Sequence, residues 1–499
     1  MGGSGSDFTS SIRATTDGGF IIAGTSSSND SDVTGNHGGR DYWIVKTDNI
    51  GNIQWQRSYG GSVDDFANDV RQTSDGGFII AGYSESNDSD VTANYGHRDF
   101  WIVKTDSLGS ISWEKNYGGS EFEIPYSVQE TFDGGYVVAG YSNSIDGDLA
   151  GTFANAQNYW LLKLDNAGLI QWYHLYGGTV TDEALSCEQT SDHGYILAGY
   201  TYSSNGHVTG YHGNKDAWIV KTDSTGAIQW QKTLGGTSGE SANCIRQTTD
   251  GGFIVACTSA SNDNDVSGSH GGNDCWIVKL DNTGIIDWQK SLGGSGDDGA
   301  YSVSPTTDGG YIIGGYSNST DGDVTFGHGD YDCWIVKLDG SGNLLWQKSL
   351  GGSSIDVANS IFQTNEGGFI FAGTTYSNDG DVTVLLGSSA YWIVKLDSAQ
   401  NVSVKETERL NADFTIYPNP FTNQTTFSFD HLGNDKLSIE IRDIEGRVVR
   451  KLAEKNPSKV EYLWDGANDS GIRVAEGVYF ILITSEVSNW MKKVVLLNE

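Results

Sequence analysis

The sequence is short of proline, cysteine, methionine and positive charge. Of 499 residues only 5 are Pro, 5 are Cys and 2 are Met. Five scattered cysteines exclude the disulfide framework that staples small secreted domains. Cys275 and Cys333 hold the same place in adjacent repeats and read as small core residues. Cys244 and Cys257 face each other, at disulfide distance, only if Asp250-Gly251 is a two-residue hairpin turn. No run approaches the ~20 apolar residues of a spanning helix, so no transmembrane segment is expected. Lys and Arg number 30 against 64 Asp and Glu, a net charge of −34. Residues 412–499 hold 13 acidic and 10 basic side chains, so nearly all of the imbalance lies upstream. Such a surface repels phosphate backbones, and nucleic acid is not expected as a partner. A leader is also lacking: Met1-Gly2-Gly3-Ser4 has no basic start and no apolar stretch. It matches Gly60-Gly61-Ser62 inside the repeat text, so the chain reads as starting within a repeat. The expectation is a precursor that extends upstream.

Glycine is abundant, at 67 residues, and it recurs at fixed offsets. The text Trp-Ile-Val-Lys, or a close variant, opens at Trp43, Trp101, Trp160, Trp218, Trp276, Trp334 and Trp392. The spacing is 58 residues, once 59. A period of this size marks a repeat architecture. Within the second copy, strands are expected at residues 68–73, 77–83, 100–105 and 110–116, with a hairpin signal at Asp75-Gly76. Short strands at regular spacing imply an all-β chain, and seven four-stranded units imply a seven-bladed β-propeller over residues 1–397. In the third strand Trp101 and Val103 share one face, Ile102 and Lys104 the other. Both faces must be covered by neighbouring blades, with Trp as the wedge that docks them. Lys104 and Asp106, and their six counterparts, lie on one face at i, i+2 and are expected to pair.

Asp106-x-x-Gly109-x-x-x-Trp113 resembles the tryptophan-docking motif of quinoprotein-type propellers. The resemblance implies a docking role for Trp55, Trp113, Trp172, Trp230, Trp288 and Trp346; the motif alone does not imply a quinone. In the seventh copy that position is Val404, so ring closure is expected to differ there. Residues 402–404 read as a last outer strand, and 398–411 as linker.

The loop between second and third strands carries an Asp pair: Asp30/Asp32, Asp88/Asp90, Asp146/Asp148, Asp263/Asp265, Asp321/Asp323 and Asp379/Asp381. The fourth copy has Asn205 and His207 instead. A further acid closes most loops (Asp41, Asp99, Asp216, Asp274, Asp332), with His37, His212, His270 and His328 beside Gly. In a propeller these loops ring one mouth. Three uses stay open: hard oxygen ligands for Ca²⁺, Asx turns that shape the loop, or direct ligand contact. Ca²⁺ is the cofactor the pattern suits best; Asp/His sites for a transition metal fit less well, because the His fall one per blade and far apart. No asymmetric catalytic constellation stands out. The irregular loops 150–158 and 202–211, with Glu183, His207 and His212, are where an enzyme's site is expected.

From residue 412 the text changes, and six short alternating segments suit a small Ig-like β-sandwich. It contains Tyr417-Pro418-Asn419-Pro420-Phe421, Asp443-Ile444-Glu445-Gly446-Arg447, Trp464-Asp465-Gly466, Gly471, Gly477-Val478-Tyr479 and a terminal Lys492-Lys493-Val494-Val495. This set resembles the type A C-terminal sorting domain of type IX secretion substrates in Bacteroidetes. The resemblance implies export to the cell surface or the medium, with the secretion translocon and a sortase as partners. The upstream repeats resemble those of Bacteroidetes surface proteins. The reading is an exported binding or adhesion propeller for a glycan or surface protein, with a propeller-fold polysaccharide glycosidase or lyase as the alternative.

Overall fold

Each repeat folds as one antiparallel sheet of successive strands. The computed structural model describes residues 1–150, 156–397, 415–430, 438–443, 447–452, 459–484 and 489–497. The chain divides into two compact units, residues 1–401 and 402–499.

The first unit is a seven-bladed β-propeller. Six blades have four strands; in the second they are Asp65–Gln72, Phe78–Ser84, Asp99–Thr105 and Ile111–Tyr117. The seventh has three among the described residues: Asp356–Gln363, Phe369–Thr375 and Ala390–Leu396. The second and third strands are buried at every position of the second blade, because both faces are covered. Trp101 and Val103 pack on Tyr42 and Ile44 of the preceding blade. Phe100 and Ile102 pack on Trp160 and Leu162 of the next. Burying one Trp removes ~150–250 Å² from water, on the order of 4–6 kcal/mol at ~25 cal/mol/Å².

The ring closes through the same contact that joins other blades. The Tyr42 ring lies 4.6 Å from Trp101 and its hydroxyl donates to the Trp101 carbonyl at 2.9 Å. The Tyr391 ring lies 4.4 Å from Trp43, with its hydroxyl 3.0 Å from the Trp43 carbonyl. The expected outer strand at 402–404 and the linker at 398–411 lie outside the described residues.

The hairpin between first and second strands differs from the two-residue turn expected. Gly76 N–H donates to the Thr73 carbonyl and Thr73 N–H to Gly77, so the turn spans residues 73–77. The fifth blade has the same turn, and a bulge follows between Ala242 and Cys244. Register therefore pairs Cys244 with Ala256 and Cys257 with Ala242, and all five cysteines are free and buried.

The second unit is an Ig-like sandwich. One sheet contains Thr415–Tyr417, Thr425–Asp430 and Lys459–Trp464. The other contains Val448–Lys451, Ser438–Asp443, Gly477–Thr484 and Asn489–Leu496. Phe427 and Trp464 from the first share a core with Ile441, Ile481 and Val494 from the second.

Candidate functional site: the loop ring and the central channel

The Asp pairs clamp the Gly-Gly connection that enters their own blade. Asp88 Oδ1 accepts the Ser62 N–H at 2.7 Å and Asp90 Oδ2 that of Gly60 at 3.3 Å. Asp30 and Asp32 hold Ser4 and Gly2, and Asp146 and Asp148 hold Ser120 and Gly118. Asp263 and Asp265 hold Thr237 and Gly235. Asp321 and Asp323 hold Ser295 and Gly293, and Asp379 and Asp381 hold Ser353 and Gly351. In the fourth blade Asn205 Oδ1 and His207 Nδ1 take over both bonds, so an acid is not required for the clamp. Glycine is needed at the connection, because a Cβ on Gly61 would sit 2.4 Å from Asp88 Oδ1. Among the described residues no three His, Cys, Asp or Glu side chains gather as a metal site.

The closing acids do not ring the mouth; they point into the joints. Asp41, at the start of one blade's third strand, and Asp65, at the start of the next blade's first strand, are both fully buried. A Cβ on Gly60 would lie 2.6 Å from a carboxylate oxygen of each. Asp65 accepts the Gly61 N–H and the Ser86 hydroxyl. Asp41 accepts the His37 N–H at 2.8 Å, and His37 Nδ1 lies at 2.8 Å. The other side of that ring faces Asp90 at 3.8 Å. His212, His270 and His328 bridge Asp216 to Asp265, Asp274 to Asp323 and Asp332 to Asp381 in the same way. Asp99 and Glu123 repeat the carboxylate pair at the next joint. Burial pushes Asp41 and Asp65 up to about 6 and Asp99 up to about 7; the neighbouring acid adds to the effect at Asp41 and Asp99.

Lys and Asp pair differently from the i, i+2 expectation. Lys104 Nζ meets Asp75 of the hairpin turn at 2.8 Å and the Thr105 carbonyl at 2.8 Å. Asp106 instead accepts the N–H groups of Leu108 and Ser110 and shapes its own turn. A turn carboxylate reaches the buried ammonium, whereas Asp106 sits past the strand's end.

The seven third-strand Trp residues form the joints. Trp43, Trp101, Trp160, Trp218, Trp276 and Trp334 are at most 1% exposed, and Trp392 is partly buried against Phe371. The outer Trp residues dock forward: Trp55 lies where a Cβ on Gly109 of the next blade would meet it at 3.0 Å. At Gly51, the first blade's counterpart of Gly109, nothing lies within 4 Å.

The channel residues were not legible in the repeat text. Each first strand carries a bulge that re-aims one side chain into the central channel: Asn68, Tyr126, Leu185, Asn243, Tyr301 and Asn359 line it with Ser10. The three Asn residues donate to a backbone carbonyl of the next blade. Tyr126 and Tyr301 break that pattern. Tyr301 is 40% exposed and stands 5.3 Å from Tyr316, and Tyr126 stands 6.4 Å from Tyr141. Around them, Tyr202 is exposed beside Tyr200, Lys215 stacks 4.9 Å over Tyr200, and Arg98 4.7 Å over Tyr83. Glu183 is hydrogen-bonded to Tyr200, and burial raises its carboxyl. His207 and His212 serve the joints. The signal that marks this site is departure from the repeat at one register position. Part of loop 150–158 lies outside the described residues.

In the C-terminal unit Pro418, Asn419 and Pro420 are exposed, and Asn419 accepts the Val495 N–H at 2.9 Å. Trp464 is fully buried, 5.4 Å from Phe421 and 5.2 Å from Tyr479. Gly471 closes a turn on Asn468, and Gly477 opens a strand. Lys492 and Lys493 lie on the last strand; Gly446 lies outside the described residues.

Residues 415–497 match the secretion system C-terminal sorting domain family. No curated protein sequence matches the chain. Among solved structures, the chain is similar to PorZ, a surface component of the type IX secretion system of Porphyromonas gingivalis, at 12% identity and TM-score 0.41. That match covers all of this chain and 60% of PorZ. A polysaccharide lyase, an ulvan lyase, matches at 10% identity and TM-score 0.46 over 80% of this chain and 96% of its own. The Pan2 WD40 domain of Neurospora crassa matches at 11% identity and TM-score 0.43, over 73% and 86%. The sorting domain marks the chain for secretion to the cell surface or beyond. No helix among the described residues is long and apolar enough to cross a membrane.

Proposed function

We propose that the chain is an exported surface module that binds a glycan at the loop-face end of its propeller channel. The translocon and sortase of the secretion system are the partners that handle its C-terminal domain. The observation that carries the binding reading is the break in repeat symmetry at the channel. Six loops lock their backbones with near-identical Asp clamps, while Tyr126, Tyr202 and Tyr301 present aromatic rings where the pattern lapses. Exposed aromatic faces with a few polar groups suit the apolar faces of sugar rings.

A catalytic reading has one observation in its favour. Glu183, Tyr200 and Lys215 form a half-buried acid–hydroxyl–ammonium set beside the same mouth. The test incubates the intact chain with dextran, mannan, laminarin and xylan, with calcium and with chelator, and reads both retention and chain length. The expected result is retention without shortening. Shortened or unsaturated products that vanish in Glu183→Gln would overturn the binding reading for an enzyme. Retention only with calcium would extend the proposal to a metal on the outward oxygens of the Asp clamps.

A further inference from the structure

The opposite end of the channel carries a different chemistry. A cavity of about 400 Å³ opens there, lined by Arg13, Arg71 and Arg246 with Ser302, Ser304 and Phe362. The three Arg occupy one register position in the first strands of blades one, two and five; the other blades place Gln129, Glu188, Ser304 and Phe362 there. In a chain of net charge −34, three guanidinium groups therefore converge on one small space.

Their partners are few and already engaged. Asp69 bonds to Arg13 at 3.0 Å and lies 3.5 Å from Arg71 Nε. Its oxygens also accept the Ser11 hydroxyl and the N–H groups of Val70 and Val128. Glu188 lies near Arg246 but accepts the Gln247 N–H at 2.9 Å. Arg246 donates to the Ile245 carbonyl and the Ser186 hydroxyl. The Nε atoms of Arg13 and Arg71 are buried without a hydrogen bond. Burial and the neighbouring Arg71 both disfavour the charge on Arg13. Guanidinium groups placed this way have donors to spare and a shortage of negative charge, and an oxyanion supplies the missing acceptors in bidentate geometry.

We propose that this cavity binds a small oxyanion, a sulfate, phosphate or carboxylate group, through Arg71 and Arg246 with Arg13 behind them. The volume falls in the range of small-ligand sites. The three Arg and Ser302 also border the channel that Tyr126 and Tyr301 line, so the glycan and oxyanion readings are tested with different ligands and different variants. The chain's own negative field opposes anion entry at low salt and is screened within ~8 Å at physiological ionic strength.

The experiment titrates sodium sulfate, phosphate and citrate into the intact chain by calorimetry, at ionic strength matched with chloride, with melting curves alongside. Saturable binding of at least one oxyanion is expected, with a rise in melting temperature that chloride does not reproduce. Arg71→Gln should weaken binding at least tenfold. Its ligand-free melting curve is recorded alongside, because the Asp69 ion pair leaves together with the repulsion of Arg13. Arg71→Lys, which keeps the charge without the fork, should also bind more weakly, and it serves if the Gln variant does not fold. Lys232→Gln on an outer strand should bind like the parent. No saturable binding, binding by both Arg71 variants as tight as the parent's, or a sulfate effect shared by all variants would overturn the proposal.

Discussion

At the scale of single residues, burial decides which of many acids matter. Lys104 is 4% exposed and must place its ammonium somewhere; Asp75 meets it from the turn. Its counterparts pair in the same way in all seven blades, with Glu366 serving Lys395 in the last. Asp75 is largely exposed, so solvent screens the pair and its coupling should be about 1 kcal/mol. A double-mutant cycle on Lys104→Met and Asp75→Asn should return that coupling, and one on Lys104→Met and Asp106→Asn should return none. The reverse order would restore the i, i+2 pairing. Sequence spacing pointed to Asp106 because both residues share a strand face, and it could not see the turn folding back over the lysine.

The buried joint carboxylates set a pH dependence. Asp41 and Asp65 titrate near 6 and Asp99 near 7 in the fold, against 3.8 for an ordinary Asp. Between those values the folded chain holds more protons than the unfolded one. Their contribution is therefore full below about 4 and is lost as pH rises through 6 to 7. The turn acids Asp17, Asp75, Asp192 and Asp250, held near 2 by hydrogen bonds from Lys and Thr against partial burial, act oppositely. Their contribution is present above about 4 and is lost as pH falls toward 2. The melting temperature should be higher at pH 5 than at pH 7.5, at constant ionic strength. Combining Asp41→Asn with Asp99→Asn should flatten that slope. The fold already uses the neutral alternative: Asn158 and Ala390 stand at this position in two blades.

At the scale of strands and turns, the docking Trp and the glycine it meets form one device. Gly109 has φ +78° and Trp55 3.0 Å from a built Cβ; Gly51 has φ +91° and open space. Ala at Gly51 should cost only the left-handed conformation, about 1–2 kcal/mol. Ala at Gly109 should cost that plus displacement of an indole, about 2–4 kcal/mol in all. Equal losses in urea unfolding would show that Trp55 does not depend on this contact. Strand identity was readable because Trp-Ile-Val-Lys recurs at a fixed period and alternates in face. Register was not. Thr73-Ser74-Asp75-Gly76-Gly77 contains a two-residue turn signal inside a five-residue turn, and the bulge beyond it is silent in sequence. That one-residue slip is what separates Cys244 from Cys257.

At the scale of the whole molecule, two units divide the work: the sorting domain directs export, and the propeller offers the channel. The sorting domain was readable because its motif falls in short contiguous runs, such as Tyr417-Pro418-Asn419-Pro420-Phe421 and Gly477-Val478-Tyr479, whose Phe421 and Tyr479 share its core with Trp464. The channel was hidden because its residues stand about one repeat apart and meet only after the ring closes. Tyr126, Leu185 and Tyr301 become a set only when the bulge position of every blade is aligned. The Asp pairs of the acidic loops, prominent in the repeat text, accept hydrogen bonds from the protein's own backbone. The most direct test of the binding account titrates dextran, mannan, laminarin and xylan into the intact chain and into its Tyr202→Ala/Tyr301→Ala variant. Both tyrosines are exposed, so the variant should fold as the parent does. The account predicts saturable binding of at least one polysaccharide that weakens tenfold or more in the variant. Binding of equal strength in both, or binding of none by either, would contradict it.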